Sequence, residues 1–441
     1  MVFAKQEFFS NVRSVTYNPE ASNESLTYKF YNPNQKVLGK TMAEHLRIAI
    51  CCWHNFCWEG NDMFGKMTRN IPWKADNEIQ KSYKKIDALF EFASKLGVPF
   101  ITFHDTDIVF EGDSVKDYLY NFQKIIDYIE EKIEKTGVNI LWGTANLCTH
   151  PRYQSGAATN PDPKVFAYAA TQVKKALEAT HRLKGENYVL WNGRDGYESL
   201  LNTNLKLEKD NYARFLSMVV EHKYKIGFSG ELLIEPKPCE PTKHQYDYDT
   251  ETVYGFLCQH NLEKEFKVNI EANHATLAGH SFIHEVDIAC TLGCFGSIDI
   301  NRGDPQNGWD TDQFPNSVEE NSLVMYKILQ NGGFGTGGFN FDSKLRRQSI
   351  SLDDMFYGHI GGIDVLAKSL LVAENLINDN LLKVMQSNRY KNWSQTLGND
   401  ILQGKHSLET LSNYVESMPV INRKSDQQEL FENIFTRAVH E

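Results

Sequence analysis

Eight short apolar runs recur along the chain, each separated from the next by a long amphipathic stretch, and this alternation leaves few folds open. The runs are Arg47–Trp53, Pro99–His104, Val138–Trp142, Asn187–Trp191, Glu231–Glu235, Lys267–Glu271, Phe295–Asp299 and Gly337–Asp342. Between them lie Asn77–Leu96, Val115–Thr136, Pro163–Leu183, Leu207–Ile226, Glu251–Asn261, His280–Leu292 and Ser317–Asn331. Each of these carries apolar residues at three- and four-residue spacing, as in Ile86, Leu89, Phe90, Ala93 and Leu96, which is the signature of a helix with one buried face. Parallel strands need a long crossover and a helix supplies it, so the pattern predicts an α/β chain folded as a parallel (β/α)8 TIM barrel. An open doubly wound sheet is the alternative with the same periodicity.

The chain has 441 residues. A prior of about 150 residues per domain suggests three domains, but single barrels commonly use about 250 or more. The pattern divides the chain into a polar, loop-rich N-terminal extension at 1–45, the barrel at 46–344, and a helical segment without strands at 345–441. Within the last, Met355–Ile377 carries Ile360, Ile363, Leu366, Leu370 and Leu371 on one stripe. With the barrel closed by Asp342, this segment has no sheet to cover, and an arm packing on a neighbouring subunit is the simplest expectation.

Charge narrows the partners. There are 46 Lys+Arg against 57 Asp+Glu, a formal charge of −11. Nucleic-acid binding needs clustered cations, and the basic pieces here are as short as Lys344-Leu345-Arg346-Arg347. A divalent cation or a neutral small molecule fits better. The segment Met1–Glu7 lacks an apolar signal core and no run of about 18 apolar residues follows, so no membrane partner and a cytoplasmic location are expected. The eight Cys include no CxxC pair and read as buried free thiols. Cys51, Cys52 and Cys57 lie near His54, but small core residues explain them better than a thiolate metal site.

The ends of the runs carry the chemistry: Trp53, His104, Trp142, Trp191, Glu235, Glu271, Asp299 and Asp342. In a parallel barrel all of them reach one face. The motifs Glu271-Ala272-Asn273-His274 and Asp310-Thr311-Asp312 add to the set, giving six carboxylates and one imidazole. Six anions at one mouth would repel by several kcal/mol or take up protons, so bound cations are the better account. Oxygen-rich ligation with one His favours magnesium, manganese or cobalt, and seven ligands with one shared carboxylate suit two ions. Lys237, stiffened by Pro236 and Pro238, is placed to stabilise oxyanion charge. His104 with Asp107 three residues on makes an oriented imidazole for proton transfer. Trp53, Trp142, Trp191 and Phe64 offer aromatic walls for a sugar.

Taken in order, Trp53-His54, Phe103-His104-Asp105-Thr106-Asp107, Trp142-Gly143-Thr144-Ala145-Asn146, Ile234-Glu235-Pro236-Lys237-Pro238, Ile270-Glu271-Ala272-Asn273-His274-Ala275-Thr276, Gly308-Trp309-Asp310-Thr311-Asp312-Gln313-Phe314-Pro315 and Asn340-Phe341-Asp342 resemble xylose isomerase, in its longer-chain subgroup with an N-terminal extension. The resemblance runs from about residue 8 into the C-terminal region. It implies a D-xylose–D-xylulose isomerase, acting weakly on D-glucose and D-fructose, that works by ring opening and a two-metal-assisted 1,2-hydride shift. It implies two divalent cations per subunit (Mg2+, Mn2+ or Co2+) and a homotetramer clasped by its C-terminal arms. By the same matching, Glu235, Glu271, Asp299 and Asp342 hold one cation, and Glu271, His274, Asp310 and Asp312 the second. His104 with Asp107 assists ring opening, Lys237 polarises the carbonyl, Trp53, Trp142 and Trp191 wall the pocket, and Phe64 enters a neighbouring subunit's site. The chain departs from the family pattern at Asn55, Asn192, Asp195 and Ile300, positions expected to bear on specificity and rate. A two-metal hydrolase or phosphatase is the alternative activity, disfavoured because the mouth offers one Lys and no glycine-rich phosphate cradle. A non-catalytic sugar-binding barrel would have no need of two metals and a His/Asp pair.

Overall fold

The computed structural model describes residues 7–112, 114–421 and 423–441; the first six residues of the expected N-terminal extension lie outside it. Eight parallel strands close into a barrel: β1 Ala49–Cys51, β2 Phe100–His104, β3 Asn139–Thr144, β4 Asn187–Leu190, β5 Glu231–Ile234, β6 Phe266–Glu271, β7 Phe295–Asp299 and β8 Phe339–Phe341. Each pairs with its sequence neighbours, and β8 returns to β1 through Asn340 opposite Ala49 and Phe341 opposite Ile50. The (β/α)8 expectation holds and the open sheet is excluded.

The crossover helices are α1 Glu78–Leu96, α2 Val115–Thr136, α3 Pro163–Arg182, α4 Leu205–Ile226, α5 Thr250–Gln259, α6 Phe282–Leu292 and α7 Val318–Gln330. Their limits are written in the sequence. Asn77, Ser114, Asp162, Asn204, Asp249, Ser281 and Ser317 each turn a side-chain oxygen onto the free N–H groups of the following first turn. Four of these helices stop at a glycine with positive φ, among them Gly97 and Gly227, where a Cβ would be strained.

Strand alternation divides the side chains between two cores. Val268, Ile270 and Ile298 join the apolar layer beneath the helices, whereas Asn269, Glu271, Ser297, Asp299 and Asn340 take the other face and hydrogen-bond within the barrel. A small separate apolar cluster of Ala49, Phe100, Leu141, Trp142, Val189 and Leu233, with Trp53 against it, draws all but Leu233 from β1 to β4, away from the strands that carry the carboxylates.

The strand ends need adjustment from the sequence expectation. His104, Glu271 and Asp299 do end their strands, but β3 continues past Trp142 to Thr144. Trp191, Glu235 and Asp342 are each the first residue beyond their strand, and Trp53 opens a one-turn π-helix, Trp53–Cys57. The residues of the mouth sit at or just above the rim, where backbone pairing stops and the chain can turn.

The helix α8, Leu352–Asp379, packs in the same chain against α7 and the short helix Met42–Leu46. The N-terminal segment is tied to it: the Asp364 carboxylate accepts the backbone N–H groups of Lys29, Phe30 and Tyr31 at 2.8–2.9 Å. Beyond Asn380 the character changes, since the helices Leu381–Tyr390 and Leu408–Glu416 bury no side chain within the chain.

His359 of α8 is fully buried among Phe92, Phe314 and Phe341, with Nδ1 donating to the Met355 carbonyl at 2.7 Å and Nε2 lacking a partner among the described residues. Burial pushes its pKa down to about 4. A lowered pKa means that the native state refuses a proton the unfolded chain accepts. The stabilisation is complete above the unfolded value near 6.5 and is lost as pH falls toward 4. Denaturant unfolding at fixed chain concentration should therefore show the wild type losing about 3 kcal/mol more than His359→Phe between about pH 7 and pH 4. Parallel curves for the two proteins would show that the ring is not held neutral.

Candidate active site

A cavity of about 310 Å3 opens at the C-terminal rim of the barrel. It is lined by all six expected carboxylates, by His274, Lys237, His104 and Asp107, and by Trp53, Trp142 and Trp191. Thirteen of the fourteen residues expected at the site therefore meet in one place. Phe64 does not; it stands 86% exposed on the loop after Trp58.

The carboxylates fall into overlapping sets. Glu235, Asp299 and Asp342 bring one oxygen each within 4.8 Å of one another; so do Glu271, Asp310 and Asp312; and Glu235, Glu271 and His274 bridge the two. Register produces part of this, because Glu271 lies opposite Asp299 across the β6–β7 ladder. The rest comes from the Asp310–Asp312 loop folding back over the mouth. Asp312 sits at φ 43, a left-handed conformation that Asp tolerates better than most residues, and the turn is fixed by paired backbone hydrogen bonds between Arg302 and Gln313.

The electrostatics are those of a site built for cations. Burial, compounded by neighbouring carboxylates, pushes Glu235, Glu271 and Asp299 well above the usual range. Burial also acts on Asp310 and Asp342, but there it is outweighed: Lys237 and His274 hold Asp310 well below its ordinary value, and His54 lowers Asp342. Asp299 Oδ2 is buried with no hydrogen-bond partner among the described residues. An orphaned carboxylate oxygen among mutually repelling acids is costly unless a cation meets it. The donor set of carboxylates and one imidazole fits oxygen-preferring divalent ions.

The remaining members are held from behind. Lys237 Nζ lies 2.6 Å from Asp310 Oδ2 and 5.3 Å above the Trp191 ring. His104 donates or accepts through Nδ1 with Asp107 Oδ2 at 2.8 Å, and the same carboxylate takes the His104 backbone N–H at 2.9 Å, which fixes the ring. Against the effect of burial, Asp107 raises the His104 pKa. Trp53 stands edge-on to His104 at 4.6 Å and beside Trp142 at 5.5 Å, forming the apolar wall.

Three further residues belong to the site and escape the sequence reading. His54 Nε2 lies 2.7 Å from Asp342 Oδ1 and 3.3 Å from Asp312 Oδ2; opposing its burial, these two carboxylates raise it to about 9. Asn301 Nδ2 donates to Glu271 at 2.6 Å, to Asp312 at 3.3 Å and to the Asp342 carbonyl at 3.0 Å. Lys344 Nζ lies 2.9 Å from Asp312 Oδ2. Asn301 and Lys344 each follow a carboxylate by two residues, Asp299 and Asp342, so the strand period carries a signal that finds them.

The four departures sit one layer back. Asn55 donates to the Ser343 carbonyl, Asn192 to Tyr212, and Asp195 accepts three donors from Ala157 and Thr159. Ile300 is buried in the outer core. None lines the cavity, so any bearing they have on specificity and rate acts through the residues they support. Asn301 is the better target: its single amide orients ligands of both carboxylate sets. Partners of this kind are worth about 10–100-fold in metal affinity. Asn301→Ala should weaken Mn2+ binding by that factor in calorimetric titration, and an unchanged isotherm would remove Asn301 from the support of the site.

Comparisons with known proteins agree with this geometry. A family model described as the XylA2 C-terminal domain matches residues 386–439. Among solved structures, L-ribulose 3-epimerase superposes with a TM-score of 0.51 at 12% identity, covering 76% of this chain and 97% of that one; a D-tagatose 3-epimerase-like protein gives 0.50 at 14%, covering 75% and 100%. These show the barrel alone. Proteins named xylose isomerase are far nearer: that of Haemophilus influenzae (strain PittEE) is 59% identical over 98% of this chain and 99% of its own, and that of Photobacterium profundum is 57% identical with the same coverage. Identity of that order across both full lengths settles the kinship, and the chain belongs to the xylose isomerase family.

Proposed function

We propose that the protein interconverts D-xylose and D-xylulose, with weaker action on D-glucose and D-fructose, using two divalent cations per subunit. The observation that carries this reading is full-length identity to xylose isomerases combined with a cavity that gathers every expected acid. In this scheme Glu235, Glu271, Asp299 and Asp342 hold one cation, and Glu271, His274, Asp310 and Asp312 the other. Mg2+, Mn2+ and Co2+ suit these donors. When bound, the cations supply Lewis acidity toward the sugar oxygens.

The chain's own residues do the rest. His104, its Nδ1 engaged by Asp107, presents Nε2 to the sugar and moves the proton that ring opening requires. Lys237, pinned by Asp310, brings a fixed positive charge to the carbonyl oxygen as it gains electron density. Trp53, Trp142 and Trp191 exclude water, so that hydrogen passes from C2 to C1 within the sugar rather than through solvent.

The same reading makes the protein a homotetramer. Its support is the arm beyond Asn380, where Leu402, Leu408, Val420 and Ile421 are 71%, 90%, 90% and 74% exposed, together with the exposed Phe64. A cytoplasmic location goes with it; no helix of the described residues is long and apolar enough to cross a membrane.

Three measurements test the proposal. Chelator-stripped protein should form no xylulose and should recover on addition of Mg2+, Mn2+ or Co2+; activity independent of added metal would overturn it. D-Xylose deuterated at C2 should retain the label at C1 of the product, and wash-out into solvent would replace the hydride shift with proton transfer. Asp310→Asn should abolish the tighter or weaker of two resolved cation-binding steps while the circular dichroism stays native.

A further inference from the structure

Away from the barrel mouth, one other set of described side chains has the donor chemistry of a cation site. It lies where the N-terminal ends of α5 and α6 meet. Asp249 caps α5 with Oδ1, which accepts the Thr252 N–H at 2.8 Å, and its other oxygen lies 3.2 Å from His280 Nε2. His280 precedes the capping Ser281 of α6, while His284 and Glu285 occupy the first turn of that helix. The two imidazole rings are 4.6 Å apart. Glu285 is 4% exposed; its Oε2 accepts the Thr250 N–H at 3.0 Å and the Thr250 hydroxyl at 2.7 Å. Its Oε1 accepts no hydrogen bond among the described residues and faces His280 Nε2 at 3.8 Å. One donor atom from each of His280, His284 and Glu285 lies within 4.8 Å of the others.

We propose that Asp249, His280, His284 and Glu285 form a third cation site, of zinc type, on the outside of the barrel. Zinc bonds of about 2.0–2.1 Å in a tetrahedron set neighbouring donor atoms about 3.3 Å apart, and the Asp249–His280 pair already has that spacing. Glu285 supplies the second, independent reason. Its carboxylate is anchored through Oε2, which leaves Oε1 turned toward His280 with no hydrogen bond of its own among the described residues and open to a cation. Two imidazoles with two carboxylates favour zinc, nickel or cobalt over magnesium. The mouth, with six carboxylates and one ligating imidazole, has the opposite preference.

The outer site stands back to back with the inner one. A cavity of about 10 Å3 is lined both by Asp249 and Glu285 and by Glu271 and His274. The short helix Ala272–Leu277, which carries His274, packs against α6. An ion bound outside would brace the element that positions His274.

The test uses the chelator-stripped full chain, dialysed against Zn2+ with metal counted per chain, alongside His284→Ala and the double variant His280→Ala/His284→Ala. Each variant should hold one zinc fewer than the wild type, with unchanged Mg2+ stoichiometry and native circular dichroism. With Co2+, the wild type should show the visible absorption of a four-coordinate, nitrogen-containing site, and the variants should lose that component. Equal zinc content in all three proteins would overturn the proposal, whatever the inner sites bind. If the histidine variants fail to fold, Asp249→Asn, which keeps the Oδ1 cap, gives the same reading: one zinc fewer supports the site and no change removes it.

Discussion

The repulsion among six carboxylates, five of them buried, is the constraint on which the rest of this structure depends. Glu235, Glu271 and Asp299 are forced upward in pKa by burial and by one another, and the fold tolerates them because cationic and amide groups are led to the same place. Lys237 neutralises Asp310, Lys344 meets Asp312, and His54 spans Asp312 and Asp342. Asn269, Asn301 and Asn340 each donate an amide N–H to a carboxylate. Removing any one of these partners leaves a buried anion less compensated, a change worth more than an exposed ion pair. The compensation is partial, which leaves the set suited to divalent ions.

A barrel of parallel strands suits such a site because it separates two demands. The helices and the outward strand residues bury an ordinary apolar layer, which supplies most of the stability. The inward residues are then free to be polar. Within the barrel the acids gather on one side, near β5 to β8, while Trp53, Trp142, Phe100, Leu141 and Val189 make the opposite side apolar. A sugar placed between the two meets charge on one side and aromatic surface on the other. The outer cluster at Asp249, His280, His284 and Glu285 follows different rules, since it draws on helix ends rather than strand ends and is rich in nitrogen donors.

Much of this was legible in the chain, for identifiable reasons. The helices were readable to within a few residues because their caps are local: Asn77 and Gly97 bound α1, Ser114 and Gly137 bound α2, and each acts on its own first or last turn. The acids were readable because parallel strands deliver their ends to one rim. Strand limits were less exact, as β3 shows by running two residues past Trp142, because pairing is settled by the neighbouring strand and not by the run itself. Helix α8 looked like part of an arm, since nothing in its stripe says whether α7 or another subunit covers it.

The order of runs and helices, the acid at each later strand end and the pairing of His104 with an acid three residues on are properties of the sequence itself, because each rests on local period or local spacing. Which of two nearby groups serves the site was decided only by the tertiary structure. Asp107 turns to His104, whereas Asp105, two residues earlier, is drawn outward by Tyr118, Gln172 and the Asn146 N–H. His54, which sits in a cysteine-rich stretch of sequence, reaches Asp312 and Asp342, residues more than 250 positions away. Such choices follow from distances across the closed barrel, and no period along a single chain segment encodes them.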